Sequence, residues 1–204
     1  MAQKRKRNPA RRRRPRYEFK PDAQGSSFLK KLWLTQLQRK HLLRWTLFGA
    51  ICVFGLVLQD VIMSRFTFLG ATTDLVPCAI LLISVAIGSE QGCLFALVAS
   101  SLYYFAGSAP GPYSIAYLSI LGIGGVMFRE NFWRRGFASD VLCAAIALAA
   151  YEFAVFGTGL FLGLTTWYRL GVFLVTAAMT IAVMIPLYPL VSKIDAIGGE
   201  TWKE

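Results

Sequence analysis

The chain has 204 residues, 55% of them hydrophobic and only 16% charged, with a mean hydropathy of +0.50. Soluble domains are about a quarter charged, so this composition excludes an ordinary soluble domain and points to an integral membrane protein. The formal charge of +11 is lopsided: residues 1–44 carry 15 of the 22 Lys and Arg against Glu18 and Asp22, whereas the remainder carries seven bases and nine acids.

Residues 1–25 read as a basic cytoplasmic tail. They have no apolar face and contain Arg11, Arg12, Arg13 and Arg14 in succession, a composition that cannot bury a core and is expected to stay disordered. Basic residues beside a bilayer gain about 1 kcal/mol each from anionic lipid, so lipid or an acidic cytoplasmic partner, and not nucleic acid, is expected to meet these arginines. The first long apolar run begins near Trp45, too late for a cleavable signal peptide.

Residues 26–44 predict an amphipathic juxtamembrane helix. Ser26 or Ser27 caps it, and Phe28, Leu29, Leu32, Trp33 and Leu37 oppose Lys30, Lys31, Thr35 and Gln38. The same residues also fit extra turns on the first spanning helix.

Residues 45–192 predict an all-α membrane domain, a bundle of six transmembrane helices, followed by a short cytoplasmic C-terminus, 193–204. The runs fall near Trp45–Met63, Leu75–Gly88, Gln91–Ala106, Tyr113–Phe128, Asp140–Leu162 and Arg169–Val191. A full span needs roughly 20 residues, so the second, third and fourth are short. Gly107-Ser108-Ala109-Pro110-Gly111-Pro112 breaks the uncharged stretch Gln91–Phe128 in two, and Gly88–Gly92 reverses the chain before it. With six spans and the tail inside, 20 basic residues lie on the cytoplasmic side and only Arg65 and Arg169 on the other. This asymmetry orients both termini inward.

Glu152 is the one acid deep within a span. An acid there costs about 2.5–3.5 kcal/mol on insertion scales, so Glu152 is the candidate intramembrane polar contact, either hydrogen-bonded inside the bundle or kept neutral by burial, or offered to a membrane partner or ligand. Ala145, Ala149, Gly159 and Gly163 share its helical face, and Gly92, Ala96 and Ser100 form a second small-residue stripe in the third span; both are expected to pack helices closely. Asp74, after Thr72-Thr73, reads as a helix cap, and Asp60 as a partner for Arg65. Trp45, Trp133, Trp167, Tyr168 and Tyr188 fall near span ends, where aromatic residues anchor helices. Cys52, Cys78, Cys93 and Cys143 sit in apolar runs and read as small hydrophobes. The only histidine, His41, lies in a basic stretch, and G-x-S-x-G, H-E-x-x-H, P-loop and C-x-x-C motifs are all missing. The chain is therefore expected to be noncatalytic, with no cofactor and no metal.

From about Val57 to Ile194 the order of features resembles the MreD family of bacterial rod-shape-determining membrane proteins. Thr73-Asp74-Leu75 stands where that family has a Pro-Asp-Leu-like step, after Phe66-Thr67-Phe68-Leu69-Gly70. Gly92, Ala96 and Ser100 stand for a glycine-rich third helix, Pro110-Gly111 for a Pro-Gly break, Tyr113 and Tyr117 for a tyrosine-bearing fourth helix, and Pro186-Leu187-Tyr188-Pro189-Leu190 for a proline-bearing last one. Three positions depart from the pattern: Tyr104 replaces an acid, and Ala96 and Ser100 replace glycines. The resemblance implies a noncatalytic inner-membrane scaffold of the cell-elongation (rod) complex, controlling bacterial cell shape and peptidoglycan synthesis. Its implied partners are MreC, RodA, a class B penicillin-binding transpeptidase and MreB.

The family is also similar to six-helix substrate-binding subunits of energy-coupling-factor vitamin transporters, which supplies the alternative function. A scaffold needs faces for partner contact and no pocket-forming polar set. A transporter subunit needs polar residues converging near the outer leaflet, where the loops are short and mostly apolar, and small residues on the first helix, where Gly49, Ala50 and Gly55 occur without an Ala-x-x-x-Ala repeat.

Overall fold

The computed structural model describes residues 36–65, 67, 70–132 and 136–198. They contain six α-helices: α1 (Gln36–Val61), α2 (Leu75–Ile87), α3 (Ser89–Phe105), α4 (Tyr113–Phe132), α5 (Phe137–Phe161) and α6 (Leu170–Gly198). Each expected apolar run coincides with one helix. Three helical segments are long and apolar enough to cross a membrane: Gln38–Val61, Phe137–Phe161 and Trp167–Ile197. The arginine run 11–14 and most of the expected juxtamembrane helix lie outside the described residues. Within them, 36–44 continue into α1 without a break, and α6 runs on through Lys193 to Gly198.

The helices alternate in direction. The start of α1 meets the end of α6 through an ion pair between Arg44 and Asp195, which defines a proximal end of the bundle. At the distal end, where α1 finishes, Gln59 accepts the Val76 N–H at 2.9 Å and Asp60 accepts from Ser108 Oγ at 2.8 Å. Asp60 is thereby tied to the α3–α4 turn.

Helix α2 is the hub. Its sequence, Leu-Val-Pro-Cys-Ala-Ile-Leu-Leu-Ile-Ser-Val-Ala-Ile, is apolar on every side, and a helix hydrophobic all round must be enclosed. Residues Val76 to Val85 are all buried, and α2 packs against each of the other five helices. Pro77 is accommodated because first-turn amides have no intrahelical acceptor. Its thirteen residues rise only about 20 Å and its last turn is buried inside the bundle, so its final carbonyls need partners there. Arg129 of α4 provides them, donating to the Val85 carbonyl and, at 3.2 Å, to that of Ala86. Gly88, at φ +67°, turns the chain directly into α3; a side chain here would strike the Arg129 guanidinium.

Close packing of α3 depends on small residues. A Cβ on Gly92 would meet the Ser84 carbonyl, one on Gly122 would lie 2.6 Å from Ala96 Cβ, and Ser100 shares a 3.0 Å hydrogen bond with Ser119 of α4. On α5, Ala145 packs against the core and Gly159 abuts Thr165. Gly163 corrects the expectation that it packs helices. It lies beyond α5, exposed, at φ +70°, and ends the helix because the Leu164 N–H turns back to the Gly159 carbonyl at 2.8 Å.

Candidate functional site

Two polar clusters occupy opposite ends of the bundle. At the proximal end, Arg129 Nη1 lies 3.3 Å from Asp140 Oδ1, and Tyr188 donates to the other oxygen of Asp140 at 3.1 Å. Phe137 closes over Tyr188 edge to face. This cluster joins α2, α4, α5 and α6, and its contacts are internal. A buried pair of this kind fixes which helices meet, while breaking one costs more than forming it gains.

The distal cluster surrounds a cavity of about 320 Å³ lined by Asp74, Tyr103, Tyr151, Glu152 and Thr176, with Gly70, Thr72, Ser108 and Pro110 toward its mouth. Asp74 comes from the loop before α2, Tyr103 from the end of α3, Tyr151 and Glu152 from α5, and Thr176 from the first turns of α6. Each side chain reaches the cavity because alternating helices bring three chain reversals, 62–74, 106–112 and 162–169, to the same end. Glu152 is 4% exposed and Tyr151 1%. Neither Glu152 Oε1 nor the Tyr151 hydroxyl has a hydrogen-bond partner among the described residues.

Asp74 occupies the N-cap position of α2, as expected, and is also the second carboxyl of this site. Its side chain makes no capping hydrogen bond to α2. Gln59 of α1 takes the Val76 amide instead, and the Asp74 N–H donates to Thr180 Oγ1 at 3.1 Å, which leaves the carboxyl to face Glu152. Two acids that each look isolated in the sequence therefore sit together. The signal was available in part: both interrupt apolar sequence with no base nearby, but only the third dimension pairs them.

Ala149 lies beside Glu152 on a separate, almost wholly apolar cavity between α5 and α6. Trp167 and Tyr168 are exposed in the distal turn before α6, as anchoring residues would be, whereas Trp45 packs on Phe95 and Tyr188 serves Asp140. Trp133 lies outside the described residues. Cys52, Cys78, Cys93 and Cys143 are all free thiols. A third feature is a groove of about 790 Å³ between α1 and α6, lined by residues including Ala50, Phe54, Gly55, Pro186 and Pro189. Compared with protein-family models, curated proteins and solved structures, the chain finds no match.

Proposed function

We propose that this chain is a noncatalytic membrane scaffold of the bacterial cell-elongation complex, with six helices across the inner membrane and both termini in the cytoplasm. The observation that carries the reading is the ordered set of motifs that resembles the MreD family, each of which is a joint in the fold. Thr73-Asp74-Leu75 opens α2; Gly92, Ala96 and Ser100 seat α3 on its neighbours; Pro110-Gly111 separates α3 from α4; Tyr117 bonds Thr158 at 2.8 Å; Pro186 and Pro189 lie in α6. The basic asymmetry supports the orientation. The groove between α1 and α6 supports a docked partner span, since Ala50 and Gly55 permit close approach and α6 lacks two amides at its prolines. On this reading a single-span partner such as MreC occupies the groove, and RodA, the class B transpeptidase and MreB belong to the same assembly.

Depletion tests the reading. Loss of a scaffold alters cell width or rounds the cells in rich medium, because misplaced wall synthesis is not corrected by a nutrient. Normal morphology and normal labelling of new wall, in a host without a second copy, contradict it.

The distal cavity favours a second reading, a substrate-binding membrane subunit of the energy-coupling-factor type. Its polar groups converge at the end of the bundle opposite the Arg44–Asp195 pair, where such a subunit would receive its ligand. Depletion would then give a growth defect relieved by the missing nutrient, with shape preserved.

A further inference from the structure

The distal cavity is built from acceptors. Asp74 and Glu152 contribute two carboxyl groups and Tyr151 a hydroxyl without a partner, and among the described residues no Lys, Arg or His lines the space. Asp74 and Glu152 share a hydrogen bond, which leaves Glu152 Oε1 without a partner, and no described base faces the pair, whereas Arg129 meets the acid at the proximal end. What complements such a site is a positive charge with several N–H donors, brought from outside through the mouth at Gly70 and Pro110.

Size and donor set narrow the choice. Among the described residues no three His, Cys, Asp or Glu side chains gather as they would around a metal ion, and a bare cation would leave most of about 320 Å³ empty. That volume lies at the small end of organic ligand sites, about 300–1,000 Å³. Rings of Tyr103, Tyr151 and Phe173 in the wall suit the carbon skeleton of an organic cation and add cation–π attraction.

We propose that this cavity binds a small primary ammonium ion, whose N–H groups donate to Asp74, Glu152 and the Tyr151 hydroxyl. The same chemistry is offered by a free amine and by the headgroup of an aminophospholipid in the surrounding bilayer. The inference stands on the cavity alone and is independent of which proteins assemble with the chain.

Ethanolammonium chloride is the probe. Thermal unfolding of the full chain in mild detergent is followed against ethanolammonium, against ethylene glycol, which replaces the ammonium by a hydroxyl, and against sodium chloride at matched ionic strength. A saturable rise in unfolding temperature with ethanolammonium alone is expected. Asp74→Asn and Glu152→Gln should each weaken that response about tenfold or more, the loss expected for a charge-assisted hydrogen bond. Equal responses to ethanolammonium and ethylene glycol, or to sodium chloride, overturn the proposal using the unsubstituted protein alone, whether or not the variants fold.

Lipid nanodiscs separate the two sources. If the headgroup is the ligand, discs of phosphatidylethanolamine raise the unfolding temperature over discs of phosphatidylglycerol and remove the response to added ethanolammonium. If a free amine is the ligand, ethanolammonium acts equally in both. No ammonium-specific stabilisation in either disc contradicts the proposal.

Discussion

Arg129 and Asp140 face each other at 3.3 Å with side chains only 1% and 9% exposed, and the same guanidinium closes the carbonyl end of α2. One side chain of α4 therefore completes a helix whose end is buried and ties it to α5. Replacing Arg129 by Leu removes the charge from Asp140 and orphans two carbonyls. A loss of about 3–5 kcal/mol is expected, read as a lowered midpoint in denaturant unfolding of the detergent-solubilised chain. Asp140→Asn keeps the Arg129 contacts with Val85 and Ala86 and should cost less.

The α3–α4 contact gives a sharper comparison within one helix. Gly122→Ala puts a methyl 2.6 Å from Ala96 Cβ and forces the helices apart, whereas Gly124 has nothing within 4 Å of the same position. Overpacking of this kind costs about 1–3 kcal/mol. Gly124→Ala should be neutral or stabilise by up to about 1 kcal/mol, since alanine is the better helix former. Unfolding midpoints of the two variants should move in opposite directions or differ clearly in size.

Helix existence was legible because glycine and proline punctuate the apolar sequence. Gly88 and the cluster Gly107–Pro112 do separate α2 from α3 and α3 from α4. The role of each short run was less legible. Leu75–Ile87 is short because it is enclosed by five other helices, a property of packing that hydropathy alone does not reveal. The polar clusters were the least legible. Glu152 stands out as an acid in an apolar helix, but Asp74 has an adequate local explanation as a cap until Gln59 is seen to take the amide that it would have capped. Arg129, counted in the sequence as a loop charge, is buried because the α2 terminus needs a donor.

On the proposed six-span arrangement, the 20 to 2 division of basic residues puts both termini inside. Reporter fusions after Val191 and at Trp133 should both read cytoplasmic. An external reading at either site contradicts the six-span arrangement.

The basic tail should hold to membrane through charge. A peptide of residues 1–40 should bind vesicles containing anionic lipid and detach as salt rises, because screening shortens to about 3 Å at 1 M. Binding that survives high salt would assign the affinity to Phe28, Leu29 and Trp33 instead.

Recovery of the tagged full chain from its own host in mild detergent, with copurifying proteins identified by mass spectrometry, tests the scaffold function most directly. Enrichment of a single-span MreC-type protein together with a RodA-type glycosyltransferase and a class B transpeptidase is expected. Recovery of an energy-coupling ATPase module, with no wall-synthesis protein, would contradict it.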